Sequence, residues 1–121
     1  SILDTIEGFK VLLSDSCHQE RKIQLLFDDS VHSYRCTDET FRLNSIYNLQ
    51  DQYSTEFCTQ WTLFKVVNSA YILWLCKESY DITTPQSLIH FSIIAVDSVV
   101  DIVASYEPKV ILINNKQGDT L

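Results

Sequence analysis

Thr84 to Tyr106 reads TPQSLIHFSIIAVDSVVDIVASY, and the way this stretch is taken decides the fold. Thr84-Pro85 has the form of a helix start. A hydroxyl sits at the N-cap, and proline follows at the first position, where its missing N–H costs nothing. From Gln86 to about Tyr106, Leu, Ile, Val and Phe would then cover most sides of the helix. One narrow polar stripe is left, made of Gln86, Ser87, His90, Asp97, Ser98, Asp101 and Ser105. A helix that is apolar on most sides is a buried one, and Pro108 ends it.

The preceding segment, Thr55 to Ser79 (TEFCTQWTLFKVVNSAYILWLCKES), points the same way. At about 100° per residue, Phe57, Trp61, Phe64, Val66, Val67, Tyr71, Leu73 and Trp74 face nearly every direction, as in a central helix. Lys65, Asn68 and Ser69 interrupt it, so it is too short for the roughly 20 apolar residues of a bilayer span. On one continuous helix Cys58 and Cys76 would lie about 27 Å apart, too far for a disulfide.

Outward from these two segments, residues 2 to 13 carry Ile2, Ile6, Phe9 and Leu13 at helical spacing, with Gly8 weakening the pattern by about 1 kcal/mol relative to Ala. Residues 19 to 36 suit a short helix starting near Ser16, although Ile23, Leu25 and Phe27 also alternate as in a strand. Thr37, Asp38 and Glu39 supply a capping hydroxyl and acids at the positive end of a helix dipole. That helix is expected to run to about Leu49 and to bury Phe41, Ile46 and Leu49. Lys109 to Asn115 (KVILINN) is a β-prone run, read as one short strand or a final short helix.

The glycine count agrees with helices. Only Gly8 and Gly118 are present, whereas an all-β domain of this length needs about six tight turns, many of which favour glycine. Asn and Asp could cover a few of them. The expectation is therefore a mainly α fold: a compact bundle or a HEAT- or armadillo-like helical domain of four to six helices. One short C-terminal strand is allowed, and α+β is the alternative. A single domain over residues 1 to 115 would end in a polar tail, 116 to 121.

The composition, 45% hydrophobic and 21% charged, is that of a globular domain. Nine Lys and Arg against sixteen Asp and Glu leave a net charge of −7, which disfavours nucleic acid and anionic membrane surfaces as partners. No glycine-rich phosphate loop, CxxC, HExxH or GxSxG occurs. Neither a cofactor nor a metal is therefore expected. His90, Asp97 and Asp101 are metal-ligand types, but on a helix 90 and 97 are two turns apart, and the stripe reads as an exposed side. Asp28-Asp29 with His18 and His32 reads as a solvated turn. Cys17-His18 lacks the third group that would orient a base.

The aromatic residues of 57 to 74 form a core by default, yet two almost wholly apolar helices exceed what so small a domain covers. That excess points to a buried interface. The expectation is a non-enzymatic protein–protein interaction domain, part of a larger intracellular protein of cytoplasm or nucleus. Its apolar groove would have an acidic rim, with Trp61, Trp74, Asp97 and Asp101 as contacts. The partner would carry basic residues near the contact, and self-association is also allowed. The alternative is a secreted helical carrier of an apolar ligand, stapled by two disulfides joining Cys17 or Cys36 to Cys58 or Cys76.

Overall fold

A computed structural model of the chain describes residues 2–5, 8–14, 21–28, 30–53, 63–95 and 97–114. It overturns the helical expectation: the protein is mainly β, built from two antiparallel sheets, with two short α-helices among the described residues. The chain divides into two compact units, Ser1–Val31 with Tyr106–Leu121, and His32–Ser105.

The first unit is a four-stranded sheet. Its strands are β1 (Ile2–Thr5), β2 (Gly8–Ser14), β3 (Arg21–Leu26) and β8 (Lys109–Asn114), in the order β1-β2-β3-β8. The helix expected over residues 2 to 13 is thus two strands, because Phe9, Val11 and Leu13 recur at spacing 2. Val11 lies opposite Leu25 and Leu13 opposite Ile23, so the apolar positions of both strands share one face. Phe9, Val11, Leu25 and Phe27 are buried there, with Phe9 and Phe27 edge to face at 5.9 Å. Gly8 has φ +123°, outside any helix. The alternation of Ile23, Leu25 and Phe27, not the helix from Ser16, describes residues 21 to 27. KVILIN is the strand β8, paired along its length with β3 from Lys109↔Leu26 to Asn114↔Arg21.

The second unit contains β4 (Val31–Asp38), α1 (Leu43–Gln52), β5 (Leu63–Val66), α2 (Ala70–Glu78), β6 (Ile89–Ile94) and β7 (Ser98–Ala104), with sheet order β4-β7-β6-β5. The 84 to 106 stretch is therefore a hairpin. Thr84-Pro85 opens only a 3₁₀ turn, Pro85–Ser87. β6 and β7 then pair from Ile89↔Ala104 to Ile94↔Val99, and the Ala95 N–H donates to the Ser98 carbonyl at 2.9 Å. Both strands are central and buried on both faces. Such strands read as near-continuous apolar runs without alternation.

The long helix expected over 55 to 79 is also corrected. Leu63–Val66 is a strand, Asn68 takes φ +52°, and the helix α2 begins only at Ala70. The part of the segment around Trp61 lies outside the described residues. α2 sets Tyr71, Ile72 and Cys76 against Val103 of β7, with Leu75 and Leu88 alongside. The expected helix after Thr37 is present, but α1 starts at Leu43, behind a 3₁₀ turn at Glu39–Phe41. It buries no residue fully, and Phe41 is 82% exposed.

Scarcity of glycine did not prevent turns. Asp28, Asn68, Tyr80 and Asp81 take the left-handed backbone conformation instead, and Asn and Asp are the non-glycine residues best suited to it.

Candidate functional site

The site is assembled in the second unit around Asp101, which is 0% exposed. Asp101 lies opposite Ser92, and His90 lies opposite Val103. These four positions share a face of the β6–β7 ladder, with His90 and Asp101 on its diagonal, within reach of long side chains. Asp101 Oδ1 is 2.7 Å from His90 Nε2. Its Oδ2 accepts from Arg35 Nε at 2.8 Å and from Arg42 Nη1 at 2.5 Å. Arg35 comes from β4. Arg42 is held at the end of the 3₁₀ turn, where its N–H donates to the Glu39 carbonyl at 2.9 Å. That turn is capped by Asp38, whose Oδ1 accepts from the Thr40 hydroxyl at 2.7 Å and from its N–H at 2.9 Å. These two bonds hold the Asp38 carboxyl below its ordinary pKa.

Burial pushes the Asp101 carboxyl up, but hydrogen bonds from His90, Arg35 and Arg42, and the charge of Arg42, outweigh it. They hold the group well below the usual carboxylate range. Ionised, Asp101 can only accept, so His90 donates through Nε2. The other ring nitrogen, Nδ1, lies 2.6 Å from Ser69 Oγ. Ser69 is the N-cap of α2, and its Oγ accepts from the Ile72 N–H at 3.1 Å. Ser69 Oγ thus joins the Ile72 N–H of α2 to the His90 ring, and every buried polar atom of the chain among the described residues has a partner.

Ser69, His90 and Asp101 are the residue types of a nucleophile, base and orienting acid. Here the Oγ is buried and engaged as a helix cap, and neither Ser69 nor His90 lines the neighbouring concavity. As arranged, the trio braces the start of α2 against β6 and β7.

That concavity has a volume of about 510 Å³ and is lined by Ser33, Tyr34, Arg35, Ala70, Tyr71 and Trp74. The Arg35 guanidinium lies over the Tyr71 ring, 4.3 Å from its centroid. Tyr71 also stacks on Trp74 at 6.3 Å, meets the His90 ring edge to face at 5.5 Å, and hydrogen-bonds through its hydroxyl to Ser33. Tyr71 is thus clamped on all sides, while Trp74 remains 55% exposed. Arg35 is about half exposed along its side chain, and its two Nη atoms make no hydrogen bond among the described residues.

Of the residues singled out in the sequence, Trp74 lines the concavity and Asp101 lies behind it as a buried anchor for arginines rather than on a rim. Asp97 is exposed in the β6–β7 turn, where its carbonyl accepts from the Glu39 N–H at 3.2 Å. Trp61 falls outside the described residues. Sequence reasoning missed Arg35, Arg42 and Ser69, and it named Tyr71 only within the aromatic series of residues 57 to 74, whose default place was the core. Arg35 and Arg42 precede Asp101 by 66 and 59 residues, so no local pattern links them. The one available signal was an acid inside the apolar run VVDIVA, because a buried carboxylate requires cations or donors.

Cys36 is an exposed free thiol and Cys76 a buried one; Cys17 and Cys58, the other cysteines of the expected staple, lie outside the described residues. Among the described residues no group of three His, Cys, Asp or Glu side chains could hold a metal ion. No helix among them is long and apolar enough to cross a membrane. Comparison with protein-family models, curated proteins and solved structures finds no match for the chain.

Proposed function

We propose that the chain is a non-enzymatic interaction module. Its contact surface is the concavity of Tyr34, Arg35, Tyr71 and Trp74, and its occupant is a linear segment of a partner protein carrying a large apolar side chain beside a carboxylate. The observation that carries this reading is the fixing of Arg35. Asp101 holds its Nε and Tyr71 supports its plane, which leaves the two Nη groups for a ligand at the edge of an exposed indole. Guanidinium groups bind carboxylates in two-pronged fashion, and a pre-ordered one loses little entropy in doing so. Trp, Tyr and Arg are also the residues that dominate binding energy at interfaces.

The net charge of −7 favours basic partners over the molecule as a whole, but the charge at the concavity is positive. Cys36 and Cys76 would remain reduced inside a cell, which suits an intracellular module.

The test uses a displayed library of random peptides selected on the intact chain. Enriched peptides are expected to combine Phe, Trp or Leu with an adjacent Asp or Glu. Trp74→Ala should weaken them by about thirtyfold, equivalent to about 2 kcal/mol at a hot spot. Arg35→Lys, which keeps the charge and loses the fork, should weaken them less. Selection of no peptide, or of peptides indifferent to Trp74→Ala, would overturn the reading.

A further inference from the structure

The four edge strands of the two sheets are not alike. β1 is short and carries the exposed Asp4; β4 carries Arg35 at its middle; β5 is four residues long and carries Lys65. Short length and internal charge are the devices by which proteins stop sheet edges from pairing with other chains. β8 has neither. It is six residues long, its one charge is at its first position, Lys109, and VILI follows without interruption. One side of β8 is paired with β3 at every residue, while the other has no strand partner among the described residues. Val110 and Leu112 are 64% and 75% exposed, on the face that β3 continues with Ile23 and Leu25.

We infer that β8 is a homodimer interface, pairing antiparallel with β8 of a second copy to join two four-stranded sheets into one of eight. The sequence of the strand favours a second copy over an unrelated one. A two-fold axis normal to the sheet pairs residues of the same parity. With Ile111 at the axis, Val110 faces Leu112 of the partner and Lys109 faces Ile113. The exposed Val110 and Leu112 of both copies then form one continuous apolar strip on one face, as cross-strand packing requires. No like charges are opposed. The two Lys109 residues sit at opposite ends of the ladder, about 13 Å apart along it, beyond the Debye length of roughly 8 Å at physiological salt. The remaining obstacle is long-range repulsion between copies of net charge −7, which salt screens.

Sedimentation equilibrium of the intact chain over a wide concentration range tests this. The expected result is a monomer–dimer equilibrium that tightens as salt is raised, the opposite of an ion-paired contact. Leu112→Lys should weaken it by about tenfold or more with an unchanged circular dichroism spectrum. Leu112→Thr, a strand-compatible replacement, should weaken it too and guards against loss of folding in the lysine variant. A monomer at every concentration and salt would overturn the inference, as would a dimer that both folded variants leave intact. Assembly that continues beyond the dimer would also overturn it, since the two-fold pairing closes.

Discussion

Asp101 concentrates more of the second unit's polar chemistry than any other described residue. Its carboxylate gathers one histidine and two arginines from three separate segments. Because its folded pKa is depressed, its contribution to stability is fully present above the unfolded value near 4 and is lost as pH falls below that. Asp101→Asn should cost about 3–5 kcal/mol at pH 7, since it strands two arginines beside a neutral amide. Urea unfolding of the two proteins should show that gap narrowing below about pH 4, as the unfolded wild-type chain takes up a proton that the folded Asp101 carboxylate does not. In the first unit, Gly8 has a comparable determining role. Its φ of +123° and a hypothetical Cβ only 3.0 Å from the Asp28 carbonyl oxygen leave no room for a side chain. Gly8→Ala should therefore destabilise by about 1–3 kcal/mol in thermal or urea melts.

At the scale of elements, the start of α2 depends on a single hydroxyl serving two acceptor and donor roles. Ser69→Ala removes the cap from the Ile72 N–H, worth about 1 kcal/mol, and leaves His90 Nδ1 buried without a partner, worth about 1–3 kcal/mol more. A loss of about 2–4 kcal/mol in urea unfolding is expected, with Ser69→Thr recovering most of it. The stretch around β7 shows why periodicity misled. Asp97, Asp101 and Ser105 are spaced by four, and four residues return a side chain to nearly the same side of a helix and to the same face of a strand. Of the three only Asp101 lies within β7, flanked on its face by Val99 and Val103. Asp97 is in the preceding turn and Ser105 just beyond the strand, and the spacing could not say which structure displayed them. His90 joined the stripe by helical arithmetic and in fact reaches Asp101 from the neighbouring strand.

For the molecule as a whole, the sequence by itself determined several things. The composition set a globular chain with an acidic surplus, the alternation of Ile23, Leu25 and Phe27 was visible beside the helical reading it displaced, and KVILIN was β-prone wherever it was placed. Trp74 was singled out for contact, and Asp101 as part of an exposed acidic rim, whereas the fold buries Asp101 completely. Fold class was decided only by tertiary structure. β6 and β7 are covered on both faces, which erases the two-residue alternation by which a strand is recognised and leaves an apolar run that a buried helix would share. The turns that two glycines seemed unable to supply were made by Asp28, Asn68, Tyr80 and Asp81, held left-handed by the elements they join. The site itself was equally a product of folding. Arg35, Arg42, Ser69 and Tyr71 acquire their roles only through hydrogen bonds and ring contacts to residues far along the chain, and such pairings are set by sheet register, which no local run of sequence encodes.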